Sequence, residues 1–280
     1  MGQPTGPGQI LFVDLEDNPY KYQLTYDTTF KNYFIISCLY SRYTVLIGTN
    51  GASANDLINA LISFHREWPP FPGYNFAQHL LEIRSDAGTI FAADELIQFA
   101  HRCNFRIRRA APEHQEQNGP AERPWQTIRK ISFSISCHAR VGPEYFHESM
   151  IYAQHIYNVL PIKGLFPALS DAENRNNIDP NKPATPYFMY FNDKPRVARF
   201  RVFGCPCFIK IYIKKKSDNN DIVRATHLNP KNNAQRGVRG IFTGFPHNQA
   251  GYRVYVPTAN KFYASCDVSF DENFESIGLS

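Results

Sequence analysis

No stretch of this 280-residue chain approaches the ~18 consecutive apolar residues that a membrane-spanning helix needs, which argues against a membrane protein. The first residues, Met1 to Gly8, are rich in Gly, Pro and Gln. They carry neither a basic segment nor an apolar one, so no secretory signal is expected. Cysteine is sparse: six residues, no C-x-x-C, and only Cys205 and Cys207 close in sequence. That excludes a disulfide scaffold. The nine His include no close pair that would complete a zinc site. Reduced, mostly buried thiols fit the nucleus or cytoplasm. Internal repeats are also lacking.

What is present is the composition of a folded protein, with 43% hydrophobic and 20% charged residues. The net charge of +5 is unevenly placed. Residues 201–280 hold eleven Lys and Arg against six Asp and Glu, whereas residues 1–200 balance at nineteen of each. A basic excess confined to one segment points towards a polyanionic partner.

The first 110 residues alternate between strand and helix patterns. Ile10–Val13 is a short apolar run ending at Asp14. Tyr33–Cys38 and Arg42–Ile47 are β-rich and flank Leu39-Tyr40-Ser41, as in a hairpin. Ser53 can cap a helix that carries Leu57, Leu61 and Phe64 and must end before Trp68-Pro69-Pro70. Leu80–Arg84 reads as a strand ending at Asp86, Ala92–Cys103 as a helix, and Phe105–Ile107 as a strand. Two further helices are expected, near Ala121–Ser136 and Pro143–Val159. A Pro/Asn/Asp-rich stretch over 161–186 follows, then a short helix at Tyr187–Phe191. From Phe200 the pattern becomes β. Arg201–Ile213 reads as one long strand, with shorter ones at Gly240–Phe245, Tyr252–Val256, Phe262–Cys266 and Asp267–Phe270.

Two strand candidates end in a carboxylate, Asp14 and Asp86. A third carboxylate, Glu122, opens the helix that follows Asn118-Gly119, with 35 residues between it and Asp86. Strand ends gather functional groups in α/β sheets. Three convergent carboxylates form a hard, oxygen-only ligand set suited to Mg²⁺ or Mn²⁺. Two such ions can serve phosphoryl transfer. Each carboxylate alone has an ordinary reading as a turn former, cap or first-turn helix residue.

The motifs resemble those of copia-type retrotransposon integrases. Gln117-Asn118-Gly119-Pro120-Ala121-Glu122-Arg123 is similar to the run around that family's catalytic Glu. Arg84-Ser85-Asp86-Ala87-Gly88 is similar to the run around its second Asp, and Tyr40-Ser41-Arg42-Tyr43 to its Y-S-R-Y/F strand. Thr185-Pro186-Tyr187, Arg201-Val202-Phe203-Gly204-Cys205, Gly251-Tyr252-Arg253-Val254-Tyr255 and Asp267-Val268-Ser269-Phe270-Asp271-Glu272 follow in family order.

The resemblance implies an α/β fold. A ribonuclease H-like mixed sheet flanked by helices would occupy residues 1–160, a linker with a short helix 161–199, and a small SH3-like β-barrel domain 200–275. It implies DNA integration by metal-dependent polynucleotidyl transfer, with Asp14, Asp86 and Glu122 holding Mg²⁺ or Mn²⁺. Asn118 would position the loop or the DNA end, and Arg123 a phosphate. Element and target DNA are the implied partners, with a homo-oligomer as the active form. The first motif lacks the usual Gly after its Asp, which leaves Asp17 as a rival to Asp14. The His/Cys zinc segment that the family carries upstream is not in this sequence, which implies a fragment of a longer polyprotein.

Basic residues suited to phosphate contacts are Arg106, Arg108 and Arg109 on a strand, Lys130 on the following helix, and Lys214, Lys215 and Lys216 in an exposed tip. Tyr252, Tyr255, Phe242 and Phe245 read as β-domain core rather than base-stacking platforms. Two alternatives stay open: a catalytically degenerate nucleic-acid-binding remnant of the same fold, and a ribonuclease H-like nuclease acting on RNA–DNA hybrids. The β-rich C-terminal segment and the Asn118-to-Arg123 motif argue against the nuclease.

Overall fold

The computed structural model describes residues 4–20, 24, 30–86, 88–109, 119–165, 183–209, 213–215, 223–225, 237–247 and 249–276, with backbone only for 119–122, 213–215 and 223–225. The chain groups into two units. One comprises residues 1–21, 29–131 and 153–198, the other 22–28, 132–152 and 199–280.

In the first unit, β1 (Ile10–Asp17), β2 (Asn32–Cys38), β3 (Thr44–Thr49), β4 (Glu82–Ser85) and β5 (Arg106–Arg109) form one sheet in the order β3-β2-β1-β4-β5. The first three strands are antiparallel, while β4 runs parallel to β1 and β5 parallel to β4. This order and these directions are the ribonuclease H-like arrangement. Residues 33–36 of β2 are all buried, as expected of a central strand covered on both faces. On one face Leu11, Val13, Phe34, Ile36 and Val45 join Leu57, Leu61 and Phe64 of α1 (Ala54–Glu67) and Leu96 and Phe99 of α3 (Asp94–Arg102), with the short helix α2 (Phe76–His79) contributing Phe76. On the other face Tyr33 meets Trp125 of α4 (Gly119–Ala139), with ring centroids 6.2 Å apart.

Local chemistry sets the helix ends. The Ser53 side chain accepts from the Asp56 N–H while Asp56 accepts from the Ser53 N–H, a reciprocal cap that starts α1. Thr185 caps α6 (Pro186–Phe191), whose first residue is a proline with no N–H to leave unpaired. The Thr-Pro-Tyr motif is thus a helix start, and Tyr190 of that helix stacks on Tyr43 at 4.6 Å.

The edge strand β3 is closed by side chains rather than by another strand. Asn158 of α5 (Phe146–Val159) accepts from the Thr44 N–H at 3.0 Å and donates to the Thr44 carbonyl at 2.8 Å. Gln154, one helical turn earlier, accepts from the Leu46 N–H at 2.7 Å. Residues four apart on a helix thereby match residues two apart on a strand and satisfy edge groups that would otherwise invite another chain.

In the second unit, β6 (Pro206–Ile209), β9 (Val238–Gly244), β10 (Tyr252–Val256), β11 (Lys261–Ser265) and β12 (Val268–Phe270) form an antiparallel sheet in the order β11-β10-β9-β6-β12. A separate hairpin pairs β7 (Ile213–Lys215) with β8 (Val223–Ala225). Tyr152 packs against the rings of Phe200, Phe203, Phe242 and Phe245, and its hydroxyl donates to the Arg201 carbonyl at 2.7 Å. Phe242 and Tyr255 are buried, and Phe245 and Tyr252 pack partly buried beside Phe242, in keeping with the core reading.

Two sequence expectations are corrected. The first strand does not end at Asp14. It continues to Asp17, because β2 keeps pairing with it as far as Asn32. Arg201–Ile213 is not one strand either. Gly204 turns the chain at φ 74°, Cys205 bonds back to Val202, and strand geometry resumes only at Pro206; residues 210–212 lie outside the described set. A Cβ on Gly204 would sit 2.4 Å from the Ala139 Cβ. Gly204→Ala therefore combines positive-φ strain with overpacking and should lower stability by about 1–3 kcal/mol, read from the urea unfolding midpoint. Among the described residues no helix is long and apolar enough to cross a membrane.

Candidate active site

Asp14 is the fifth of eight residues in β1, half-buried and paired with Ile35 of β2. Its neighbours Val13 and Leu15 turn towards α1 and α3, so strand alternation turns Asp14 to the opposite face, the one that Tyr33 and Trp125 share. Asp17, an odd number of residues away on the same regular strand, faces the other way. One carboxylate oxygen of Asp14 accepts the N–H of Leu15 at 2.9 Å.

The parallel register between β1 and β4 runs Ile10↔Glu82, Leu11↔Ile83, Phe12↔Arg84. The same offset carried two residues further aligns Asp14 with Asp86, which follows Ser85, the last residue of β4. Neighbouring strands lie ~4.8 Å apart, so this alignment is on the scale of two carboxylates sharing one ion. Asp86 is exposed, and its Oδ1 accepts the Gly88 N–H at 3.0 Å, which folds the chain back just past the strand. Arg84 lies 5.6 Å from the Phe12 ring and pairs with Glu82, adding a cation to the Asp14 face that the motif alone does not reveal.

Glu122 falls in the first turn of α4, and its side chain lies outside the described residues, as does all of Asn118. Among the described residues no group of three His, Cys, Asp or Glu side chains forms a metal cluster. Carboxylate oxygens are the donor type that suits a hard divalent cation.

The basic candidates fall on separate elements. Arg106, Arg108 and Arg109 are exposed on β5, the edge strand beyond β4. Arg123 and Lys130 are exposed on α4. Lys214 and Lys215 lie on β7 with side chains outside the description, and Lys216 is outside it altogether.

Residues 205–277 match the family model described as the retroviral polymerase SH3-like domain. The chain is 22% identical over 271 residues to the retrovirus-related Pol polyprotein from transposon RE1 of Arabidopsis thaliana, covering 96% of this chain and 16% of that protein. It is also 22% identical over 194 residues to the corresponding polyprotein from transposon TNT 1-94 of Nicotiana tabacum, covering 69% and 12%. The chain thus spans less than a fifth of either relative. Among solved structures it is similar to the HTLV-2 integrase catalytic core domain in complex with magnesium, trimeric form, at 14% identity and a TM-score of 0.45, covering 67% of this chain and 99% of that one. It is also similar to a chain of the simian T-cell lymphotropic virus intasome in complex with PP2A regulatory subunit B56 gamma, at 11% identity and a TM-score of 0.48, covering 97% and 78%. Strand order and direction alone make the first unit's sheet ribonuclease H-like.

Proposed function

We propose that the chain is the integrase segment of a copia-type retrotransposon polyprotein, joining the 3′-ends of element DNA to target DNA. The observation that supports this reading is the parallel β1–β4 register of Ile10–Phe12 with Glu82–Arg84, in a sheet of ribonuclease H-like order; the same offset, carried two residues on, would set Asp14 opposite Asp86. Asp14, Asp86 and Glu122 would hold Mg²⁺ or Mn²⁺, which when bound activates the attacking oxygen and stabilises the leaving one. The chain's own part is positional. Strand β1 and the end of β4 would supply two carboxylates, and the start of α4 the third. Asn118 orients the DNA end, and Arg123 holds a phosphate beside Glu122. The reaction is a transesterification: a 3′-hydroxyl attacks a target phosphodiester, a new P–O bond forms, and the opposite target oxygen leaves. Where ends are trimmed, water is the nucleophile.

Affinity for DNA has to come from elsewhere, because a carboxylate cluster repels phosphate. Arg106, Arg108, Arg109, Lys130, Lys214, Lys215 and Lys216 supply it in this reading, and the active form is a homo-oligomer. Incubating the chain with element-end DNA, target DNA and Mg²⁺ or Mn²⁺ tests the proposal; no joined product under any divalent condition counts against it. Replacing Lys214, Lys215 and Lys216 together by Gln should lower the slope of log affinity against log salt by up to ~2.7, at ~0.9 per duplex phosphate contact. An unchanged slope in a fluorescence anisotropy salt series assigns those lysines to plain solvated surface.

A further inference from the structure

Three cations from three separate elements line one cleft of the first unit, about 550 Å³ in volume. Arg42 comes from the turn between β2 and β3, where its N–H donates to the Cys38 carbonyl at 2.8 Å and its backbone holds φ 61°. That left-handed conformation suits Gly or Asn better than Arg. Arg123 comes from the first turn of α4. Lys163 comes from the turn after α5, pinned where the Ile162 N–H donates to Ala184 and the Leu165 N–H to Ile162, both at 3.0 Å. Among the described residues no Asp or Glu lines the cleft. None of the three cations has a carboxylate within ion-pair distance among the described residues. The rest of the wall includes Tyr40, Leu160 and Ile162.

Like charges gathered in a concave, partly apolar site repel one another, and the site's potential focuses on an anion. Guanidinium groups match phosphate oxygens in pairs. The volume lies within the range of organic ligand sites, well above what a lone phosphate fills. A cationic end beside an apolar wall is the chemistry of one nucleotide, with its phosphate on the cations and its sugar and base against Tyr40 and Leu160.

We propose that this cleft seats one nucleotide of a DNA strand, with Arg42, Arg123 and Lys163 gripping its phosphate. The proposal rests on the DNA-joining reading and deepens it, since Arg123 directly follows Glu122 in the chain. It adds Arg42 and Lys163, which no charge run or spacing singles out.

The test is fluorescence anisotropy with a 20-nucleotide single-stranded DNA in EDTA, so that no metal contributes, across a salt series. The Arg42→Gln, Lys163→Gln double variant should bind at least tenfold more weakly at 0.1 M salt, with the slope of log affinity against log salt reduced by about 1.4. Leu160→Ser should weaken binding without changing the slope. Arg66→Gln, a charge removal on α1 outside the cleft, should leave both unchanged. If the double variant does not fold, Lys163→Gln alone, in its exposed turn, carries the same test with half the slope change. Variants that bind like the parent protein overturn the cleft while the DNA-joining reading stands. A parent protein that itself binds no DNA overturns both.

Discussion

Glu122→Gln should reduce metal-dependent strand transfer by about a thousandfold or more, while DNA affinity measured in EDTA stays within about twofold. The carboxamide keeps the size and one oxygen of the side chain but removes the negative charge that a hard divalent cation needs. Stabilising charge on the reacting oxygens is worth several kcal/mol, and each 1.36 kcal/mol is tenfold in rate. Asp14→Asn and Asp86→Asn should behave alike, because in the proposed site both hold the same ions. Asp17→Asn should leave the rate nearly unchanged, since strand alternation turns Asp17 to the other face. Strand transfer surviving in Glu122→Gln would remove the triad. A parent protein that binds DNA but joins none under Mg²⁺ or Mn²⁺ would instead establish the degenerate, DNA-binding remnant.

Arg253→Met should cost about 3–5 kcal/mol of stability at pH 7 and regain part of it on acidification. In the second unit Arg253 of β10 donates two hydrogen bonds, each 3.0 Å long, to the carboxylate of Glu148, which is only 4% exposed. The same guanidinium lies 3.9 Å from the Phe262 ring centroid. Removing the cation strands a buried carboxylate, the costly way to break such a pair. Burial holds the Glu148 carboxyl above its usual range, with Arg253 opposing that rise. Without Arg253 it rises further. An acid whose native value exceeds its unfolded one binds more protons when folded, so its stability contribution falls as pH rises between the two values and returns as pH falls.

His147, partly buried beside Glu148, is held down to about 3, chiefly by lost solvation and then by Arg253. Such a histidine loses stability as pH falls through its unfolded value of ~6.5. Removing Arg253 lessens that loss, so both groups shift the difference the same way. Urea unfolding of parent and variant at pH 7 and pH 5 should show a smaller deficit at pH 5. A deficit that is equal or larger there would contradict the assignment.

Local rules made much of this fold legible in the sequence. Ser53, the Trp68-Pro69-Pro70 stop and the helical spacing of Leu57, Leu61 and Phe64 bound α1 to within a residue, because capping and proline geometry act over a few residues. The strand cores of β2 and β10 were equally plain from their β-rich runs. Asp14, as a strand-end carboxylate, and Asp86 and Glu122, by motif and spacing, were candidates that the sequence offered.

What local pattern could not supply were facts fixed by distant partners. Asp14 is a mid-strand residue only because β2 continues to pair beyond it, and its face follows from that pairing. Gly204 breaks the expected long strand by a turn at φ 74°, and it packs where Ala139, remote in sequence, leaves no room for a side chain. Gln154 and Asn158 read as ordinary polar helix residues until β3 is found more than 100 residues earlier, its backbone groups needing partners. Arg42 and Lys163, 121 positions apart in the sequence, share a cleft for the same reason. The sequence by itself determined where most helices and several strands lie and which residues are candidates for the chemistry, since propensity, capping and motif are local. Only the tertiary structure decided which face each candidate takes and which charges meet, because register and packing depend on residues that the chain brings together from far apart.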